Sequence, residues 1–341
     1  MRFQYCSWLL VVFPQLSVAD DKLLQYKTHY ADEVRSLRRF YCRSDGSIPT
    51  ETLRMIPCQN QRFSEVERLI ISNNADPRSK IALRFYPESL YSREEFARRR
   101  LGFIPQNLKP NKLVIPKKPS KRSADQYLNY ADLGYVTPVK DQGDCGACYS
   151  FSAMAVLESA ILRHYGAKKD FSVQQGLDCT FHRYDLMNYG CQGGHPFYVL
   201  LHATRYEIVN ETQYGYRNRL GTCQISEKKQ ILDLTAAVVS LDNSDEALKQ
   251  VLRELGPVSV AVAVGESSFK HYAGGIITEC GNELDHAVLL VGYKDTSEES
   301  YWIIKNSWGS KWGEGGFARI KMGSSCNIAL DNPIGVLVNA Y

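Results

Sequence analysis

Apolar positions change rhythm several times along the chain. Near the start, Trp8-Leu9-Leu10-Val11-Val12-Phe13 is a short unbroken apolar run, preceded by Arg2 and followed by Ser17-Val18-Ala19. That order predicts a cleaved secretory signal over 1–19, too short to persist as an anchor. From 20 to about 74 the apolar residues are scattered at helical spacing, as in Val34, Leu37 and Phe40, then Phe63, Val66, Leu69 and Ile70. Over 101–122, Pro105, Pro110, Pro116 and Pro119 alternate with lysines, which favours extended chain over helix. A helical rhythm returns over 148–165 and stops at Gly166, a natural C-cap. A second helix is expected over 196–206, and Gln174-Gln175-Gly176 reads as a turn. From 231 onward the chain turns strand-rich, with β-branched and aromatic runs at 258–264, 286–293, 301–305 and 317–322. Helices first and strands later predict an α+β protein, a helical lobe packed on a β-barrel-like lobe.

Charge divides the chain where the rhythm does. The 341 residues carry a net charge of +4, but 20–122 holds 22 Lys+Arg against 12 Asp+Glu, and the remainder is acidic. In a secreted chain a basic segment ahead of an acidic one points to an intramolecular partner rather than a nucleic acid. No membrane partner is expected once the signal is removed. Of ten cysteines, Cys6 leaves with the signal and Cys42 and Cys58 fall in the basic segment. Seven remain beyond it, an odd number, so one thiol is left over in an oxidising compartment. Their spacing matches no zinc pattern, and neither metal nor cofactor is expected. Asn210-Glu211-Thr212 is a glycosylation acceptor sequence at Asn210.

Cys148 falls where a glycine-rich loop becomes a helix, so the positive helix end favours its thiolate. Gln142, six residues earlier, is close enough to offer an amide to an oxyanion. Locally, Cys148 reads equally well as a structural cysteine or half of a disulfide. The distant context decides: His286 opens an apolar run and Asn306 closes another, which completes the parts of a Cys-His-Asn triad.

On GDCGACYSF, GCQGG, DHAVLLVGY and KNSWGSKWGEGGF, in that order, the chain resembles the papain-like cysteine peptidases from about residue 124 to its end. The resemblance implies a signal at 1–19, an inhibitory pro-segment at 20–123 and a two-lobe peptidase at 124–341. It implies disulfides Cys145–Cys191, Cys179–Cys223 and Cys280–Cys326, with Cys148 free as nucleophile. His286 would be its acid–base partner, Asn306 the orienter under a roof of Trp308, and Gln142 with the Cys148 N–H the oxyanion hole. Gly193 and Gly194 would pair with extended substrate. His195, Pro196, Leu284 and Ala287 would line the pocket for the second residue before the cut, with Asp331 either at its floor or merely capping the turn at Asn332-Pro333. The proline-rich stretch would cross the cleft in reverse and end at a processing site, Lys121-Arg122.

Some positions depart from the family pattern. In the pro-segment signature Phe63, Ile70 and Asn74 fit, but Val66 stands where Asn is expected, and Glu94-Glu95-Phe96 resembles the end of the next element. Tyr149 replaces the usual Trp, as in the dipeptidyl branch of cathepsin C, whose extra exclusion domain this chain has no room for. No long insertion resembles the occluding loop of cathepsin B, and an open groove implies internal cleavage. The expectation is a monomeric endopeptidase precursor of the secretory pathway, lysosomal or extracellular, acting on proteins or peptides. The alternatives are a dipeptidyl exopeptidase and a non-catalytic binding protein on the same scaffold.

Overall fold

The computed structural model describes residues 18–41, 59–110, 126–183, 187–226, 228–230, 232–239, 244–265, 267–323, 325–328 and 330–339. The signal before residue 18, Cys42, Cys58, the later prolines and Lys121-Arg122 lie outside them. Among the described residues no helix is long and apolar enough to cross a membrane.

The N-terminal segment forms α1 (Val18–Tyr41), α2 (Gln59–Ala75), the short strand β1 (Ile81–Leu83) and α3 (Arg93–Arg100). Val34, Phe63, Val66, Ile70, Leu83, Phe85 and Leu90 make one small core where α1, α2 and β1 meet. Buried Asn74 ties them together, donating to the carbonyls of Lys27 and Leu83 and accepting from the Leu83 N–H. Helix α3 starts in a capping box, in which Ser92 Oγ accepts from the Glu95 N–H and Glu95 accepts from the Ser92 N–H.

The remainder runs β2 (Tyr127–Asn129), α4 (Cys148–Tyr165), α5 (Val173–Cys179), α6 (Pro196–Arg205), β3 (Leu234–Val238), α7 (Asp245–Leu255), β4 (Val258–Val262), α8 (Ser267–Lys270), β5 (Tyr272–Ile277), β6 (His286–Asp295), β7 (Ser300–Lys305), β8 (Phe317–Lys321) and β9 (Ile334–Val338). Strand order is β1-β5-β8-β7-β6-β4-β9-β3, with β2 also on β6. All pairings are antiparallel except β5 with β8. One core gathers α4, α5, α6 and one end of the sheet, and a second lies under β4 to β8 and α7. This is the expected α+β architecture of a helical lobe against a sheet lobe, with helices ahead of both. The three expected cystine pairs are joined, and Cys148 is the free cysteine among the described residues.

Two details differ from expectation. Gln174-Gln175-Gly176 is no turn but the middle of α5, which Ser172 caps by accepting from the Gln175 N–H. Glycine is there for close approach, because a Cβ would overlap Ser150 Oγ and come within 2.9 Å of Met154 Cε on α4. Within the strand-rich stretch, α7 is a helix begun by Ser244, whose Oγ accepts from the Ala247 N–H, and ended by Gly256.

Candidate active site

Cys148 is the first residue of α4 and is fully buried. The preceding Ala147 offers no side-chain cap, so the helix end keeps its unpaired N–H groups. The Cys145–Cys191 bond and the Gly146 N–H, which donates to the Cys191 carbonyl at 3.0 Å, pin the loop before it. His286 opens β6 in register with Val262 of β4, and Asn306 follows β7, its N–H donating to the Gly316 carbonyl. Together these place His286 Nε2 2.8 Å from Asn306 Oδ1. The Trp308 ring lies 4.8 Å from the imidazole, tilted by 35°. His286 Nδ1 has no hydrogen-bond partner among the described residues.

Burial dominates the electrostatics of the site in the covered molecule. Burial pushes the Cys148 thiol up to about 12, against the opposing pull of the Ala287, Tyr149 and Gly102 N–H groups. Burial also pushes His286 down to about 4, with Asn306 pulling it back up and the Arg100 guanidinium pressing it further down. Burial thus favours the neutral form of both groups, and the N-terminal segment contributes to that burial by covering the site.

That cover is the chain from Arg100 to Ile104. The Gly102 and Phe103 N–H groups donate to the Asp285 carbonyl, both at 3.0 Å. The Gly194 N–H donates to the Gly102 carbonyl at 2.9 Å, and the Ile104 N–H donates to the Gly194 carbonyl at 3.0 Å. Phe103 and Gly194 thus pair in parallel. The Phe103 ring packs with Cys148, Ala261, Leu284 and Ala287, 5.2 Å from the His195 ring. Pro196, next in the chain, opens α6. Gln142, expected to offer its amide to an oxyanion, has that amide engaged here: Nε2 donates to the Arg100 carbonyl at 3.1 Å and to the Cys145 carbonyl at 2.8 Å. Its Oε1 accepts from Ser307 Oγ at 2.7 Å. Asp331 Oδ2 is 3.9 Å from His195 Nε2, while Oδ1 accepts from the Asn332 N–H, so it caps the turn and also faces the pocket wall. Asn210 is exposed, well apart from this cluster in the chain.

Around this centre the N-terminal segment is anchored by ion pairs, Arg99 to Asp144 at 2.7 Å and Arg100 to Asp141 at 3.1 Å, with Arg100 also paired to Glu88 inside the segment. It is also anchored by polar contacts from a turn over 87–91. Lys270 Nζ donates to the carbonyls of Ser89 and Tyr91, and His271 Nδ1 shares a 2.9 Å hydrogen bond with Ser89 Oγ. Sequence reasoning missed Arg100, Gly102, Phe103, Ser307 and the Lys270-His271 pair. Basic clustering was visible in Arg98-Arg99-Arg100, but nothing local marks which arginine turns inward.

A buried Cys–His–Asn cluster at the junction of a helical lobe and a sheet, closed by a strand running through the groove, defines a class, and the comparisons agree with it. Residues 125–335 match the family model described as papain family cysteine protease, and the chain belongs to that family. It is similar to papain of Carica papaya, 35% identical over 236 residues that cover 68% of this chain and 66% of papain. It is likewise similar to cysteine endopeptidase Rep1 of Oryza sativa subsp. japonica, 34% identical over 261 residues that cover 70% of this chain and 67% of the relative. The match thus spans about two thirds of the length of these curated relatives. Among solved structures, recombinant stem bromelain precursor superposes with a TM-score of 0.70 at 26% identity, covering 93% of this chain and all of that one. Digestive procathepsin L 3 of Tenebrio molitor larval midgut gives 0.70 at 26% identity, covering 91% of this chain and 99% of its own. Both are precursors, in keeping with an N-terminal pro-segment here.

Proposed function

We propose that this chain is the precursor of a cysteine endopeptidase, with a signal over 1–19, residues 20–123 as a removable inhibitor and 124–341 as the enzyme. The carrying observation is the strand from Arg100 to Ile104, which lies over Cys148 parallel to Gly194 with its own carbonyl on Gln142. A substrate of the opposite polarity would use the same backbone groups of Gly194 as an antiparallel partner. It would then bring its scissile carbonyl to Gln142 Nε2 and the Cys148 N–H.

Removal of the pro-segment lets water and substrate in, so the burial that holds Cys148 and His286 neutral is lost. The α4 N-terminus and an adjacent imidazolium then favour the thiolate. Asn306 Oδ1 accepts from the His286 Nε2–H and fixes the ring, leaving Nδ1 to exchange protons with the thiol. Sγ attacks the carbonyl carbon. The imidazolium gives its proton to the leaving amine as the C–N bond breaks, and a water deprotonated by His286 hydrolyses the thioester and returns the thiol. Each oxyanion donor contributes about 3 kcal/mol in related chemistry.

Phe103 in the pocket supports acceptance of Phe, Leu or Val there, each worth about 1.5–3 kcal/mol of burial. Asp331 beside His195 provides a carboxylate for the guanidinium of Arg. Asp331→Ala should abolish cleavage of substrates with Arg at that subsite and spare Leu substrates. Equal loss of both would remove the assignment. The enzyme is read as a monomer of the secretory pathway, lysosomal or extracellular, with Asn210 as an exposed glycan acceptor and no nucleic-acid, membrane or metal partner.

The test of the function is Cys148→Ser, which should lose essentially all turnover of an internally quenched peptide while unfolding at the same temperature. Near-native turnover by the folded variant would sink the nucleophile assignment. Turnover of dipeptide substrates with a free N-terminus, and not of internally quenched ones, would move the reading to a dipeptidyl exopeptidase.

A further inference from the structure

The loop after Thr212 brings a phenol to the main chain of the oxyanion loop. Tyr216 Oη donates to the Gln142 carbonyl at 2.8 Å, and its ring stands edge-on to Phe151 of α4 with centroids 4.8 Å apart. The Tyr216 N–H donates to Glu211 Oε1 at 2.5 Å, and Glu211 Oε2 accepts from the Val173 N–H at 3.2 Å. The loop is thereby tied to the start of α5. Gln142 is held on every polar atom. Its N–H donates to the Ser307 carbonyl, Oε1 accepts from Ser307 Oγ, and Nε2 donates to the Cys145 carbonyl. The Ser307 contacts come from the sheet lobe, and the Cys145 contact from the loop itself. The carbonyl is held by Tyr216, a residue of neither. Burial keeps the Tyr216 phenol protonated, hence a donor, well beyond ordinary pH.

We propose that Tyr216 is a positioning residue for the oxyanion donor: its hydroxyl fixes the Gln142 main chain so that Nε2 points at the place where negative charge develops. This rests on the peptidase reading above. Without the hydroxyl the carbonyl must find another donor, and the amide attached to the same backbone loses its alignment. An oxyanion donor acts mostly in the transition state, so the loss falls on turnover rather than on substrate binding.

The experiment compares Tyr216→Phe with the native enzyme, each processed from its full-length precursor. Phe keeps the packing on Phe151. The kcat should fall about tenfold, with KM within roughly twofold. Affinity for a peptide aldehyde, whose adduct carries an oxygen into the oxyanion hole, should fall by the same factor. The rate of inactivation by a peptidyl epoxide, which needs the thiolate but no such oxygen at that place, should stay unchanged. In a Gln142→Ala background the added Tyr216→Phe change should cost nothing further. Unchanged kcat and aldehyde affinity would overturn the proposal, as would parallel losses toward aldehyde and epoxide, which mark a general distortion. A native enzyme without peptidase activity would instead overturn the reading beneath it.

Discussion

The pro-segment and the peptidase unit are built on unequal means. The peptidase unit has two broad cores that share one sheet, plus three disulfides. The pro-segment has one small core around Phe63 and, among its described residues, no disulfide. Much of its polar bonding points outward: the Tyr86 hydroxyl donates to the Tyr272 carbonyl, β1 pairs with β5, and Arg99 and Arg100 reach across to Asp144 and Asp141. A segment that owes its order to what it docks on can leave without disturbing its host. If the segment inhibits as proposed, inhibition and fold should be separable in this molecule.

The strongest way to break that comparison is Phe63→Ala. Phe63 is fully buried and its ring lies 5.3 Å from that of Phe85. The cavity should cost about 3–5 kcal/mol, nearly all of it from the pro-segment. Calorimetry of the precursor should show the pro-segment transition moving down while the peptidase transition stays. A common shift of both would mean that the two are one cooperative unit.

Gly102→Ala attacks the docking alone. A Cβ at Gly102 would overlap the Gly146 carbonyl oxygen and approach Gly146 Cα to 2.8 Å, and backbone cannot swing aside as a side chain can. Inhibition of the processed enzyme by added pro-segment should weaken by about 100-fold, ~2.7 kcal/mol. An unaltered inhibition constant would contradict the packing described over Cys148.

His271 sharpens the comparison through pH. Burial, and then the neighbouring Lys270, push it down to about 3, while a hydrogen bond between its ring and the Arg84 main chain pulls the other way. Lys270, beside it, feels Arg62 and Glu95 from the pro-segment. The docked state therefore prefers neutral His271, and once the pro-segment leaves, the ring returns toward its ordinary value near 6.5. Docking is then unaffected by this group above pH 6.5. It weakens as pH falls below 6.5, by up to about tenfold per pH unit and down to about pH 3. Glu95, whose carboxyl is held low by the Ser92 N–H, acts only in a more acidic window. His271→Gln should flatten the dependence of pro-segment affinity between pH 6.5 and 5, measured by inhibition. An unchanged slope would mean that His271 does not carry the acid response.

Legibility in the sequence followed how local each signal is. Helix α4 and strands β6 and β7 were readable because long, strongly buried runs end at Gly166, Asn306 or a turn. Helix α7 carried its own marks in Ser244, the acidic Asp245-Glu246, apolar Leu248, Val251 and Leu252, and Gly256, but a strand-rich neighbourhood hid them. Gln174-Gly176 misled because its glycine serves packing against α4 rather than a turn. Cys148, His286 and Asn306 were legible through motifs whose order matched a family. The burial that favours neutral Cys148 and His286 was not, because part of it comes from a segment more than forty residues from Cys148 in the chain.

The β1–β5 pairing has one more consequence. With the pro-segment in place, the Ile276 N–H donates to the Lys80 carbonyl and the Arg84 N–H donates to the His271 carbonyl, so β5 lies inside the sheet. Removal of the pro-segment, as proposed, would strip β1 away and turn β5 into an edge, with backbone groups open to any extended chain, including another copy of the enzyme. On that reading the precursor would be guarded against clumping as well as self-digestion, and the matured enzyme would be the form that has to be kept dilute.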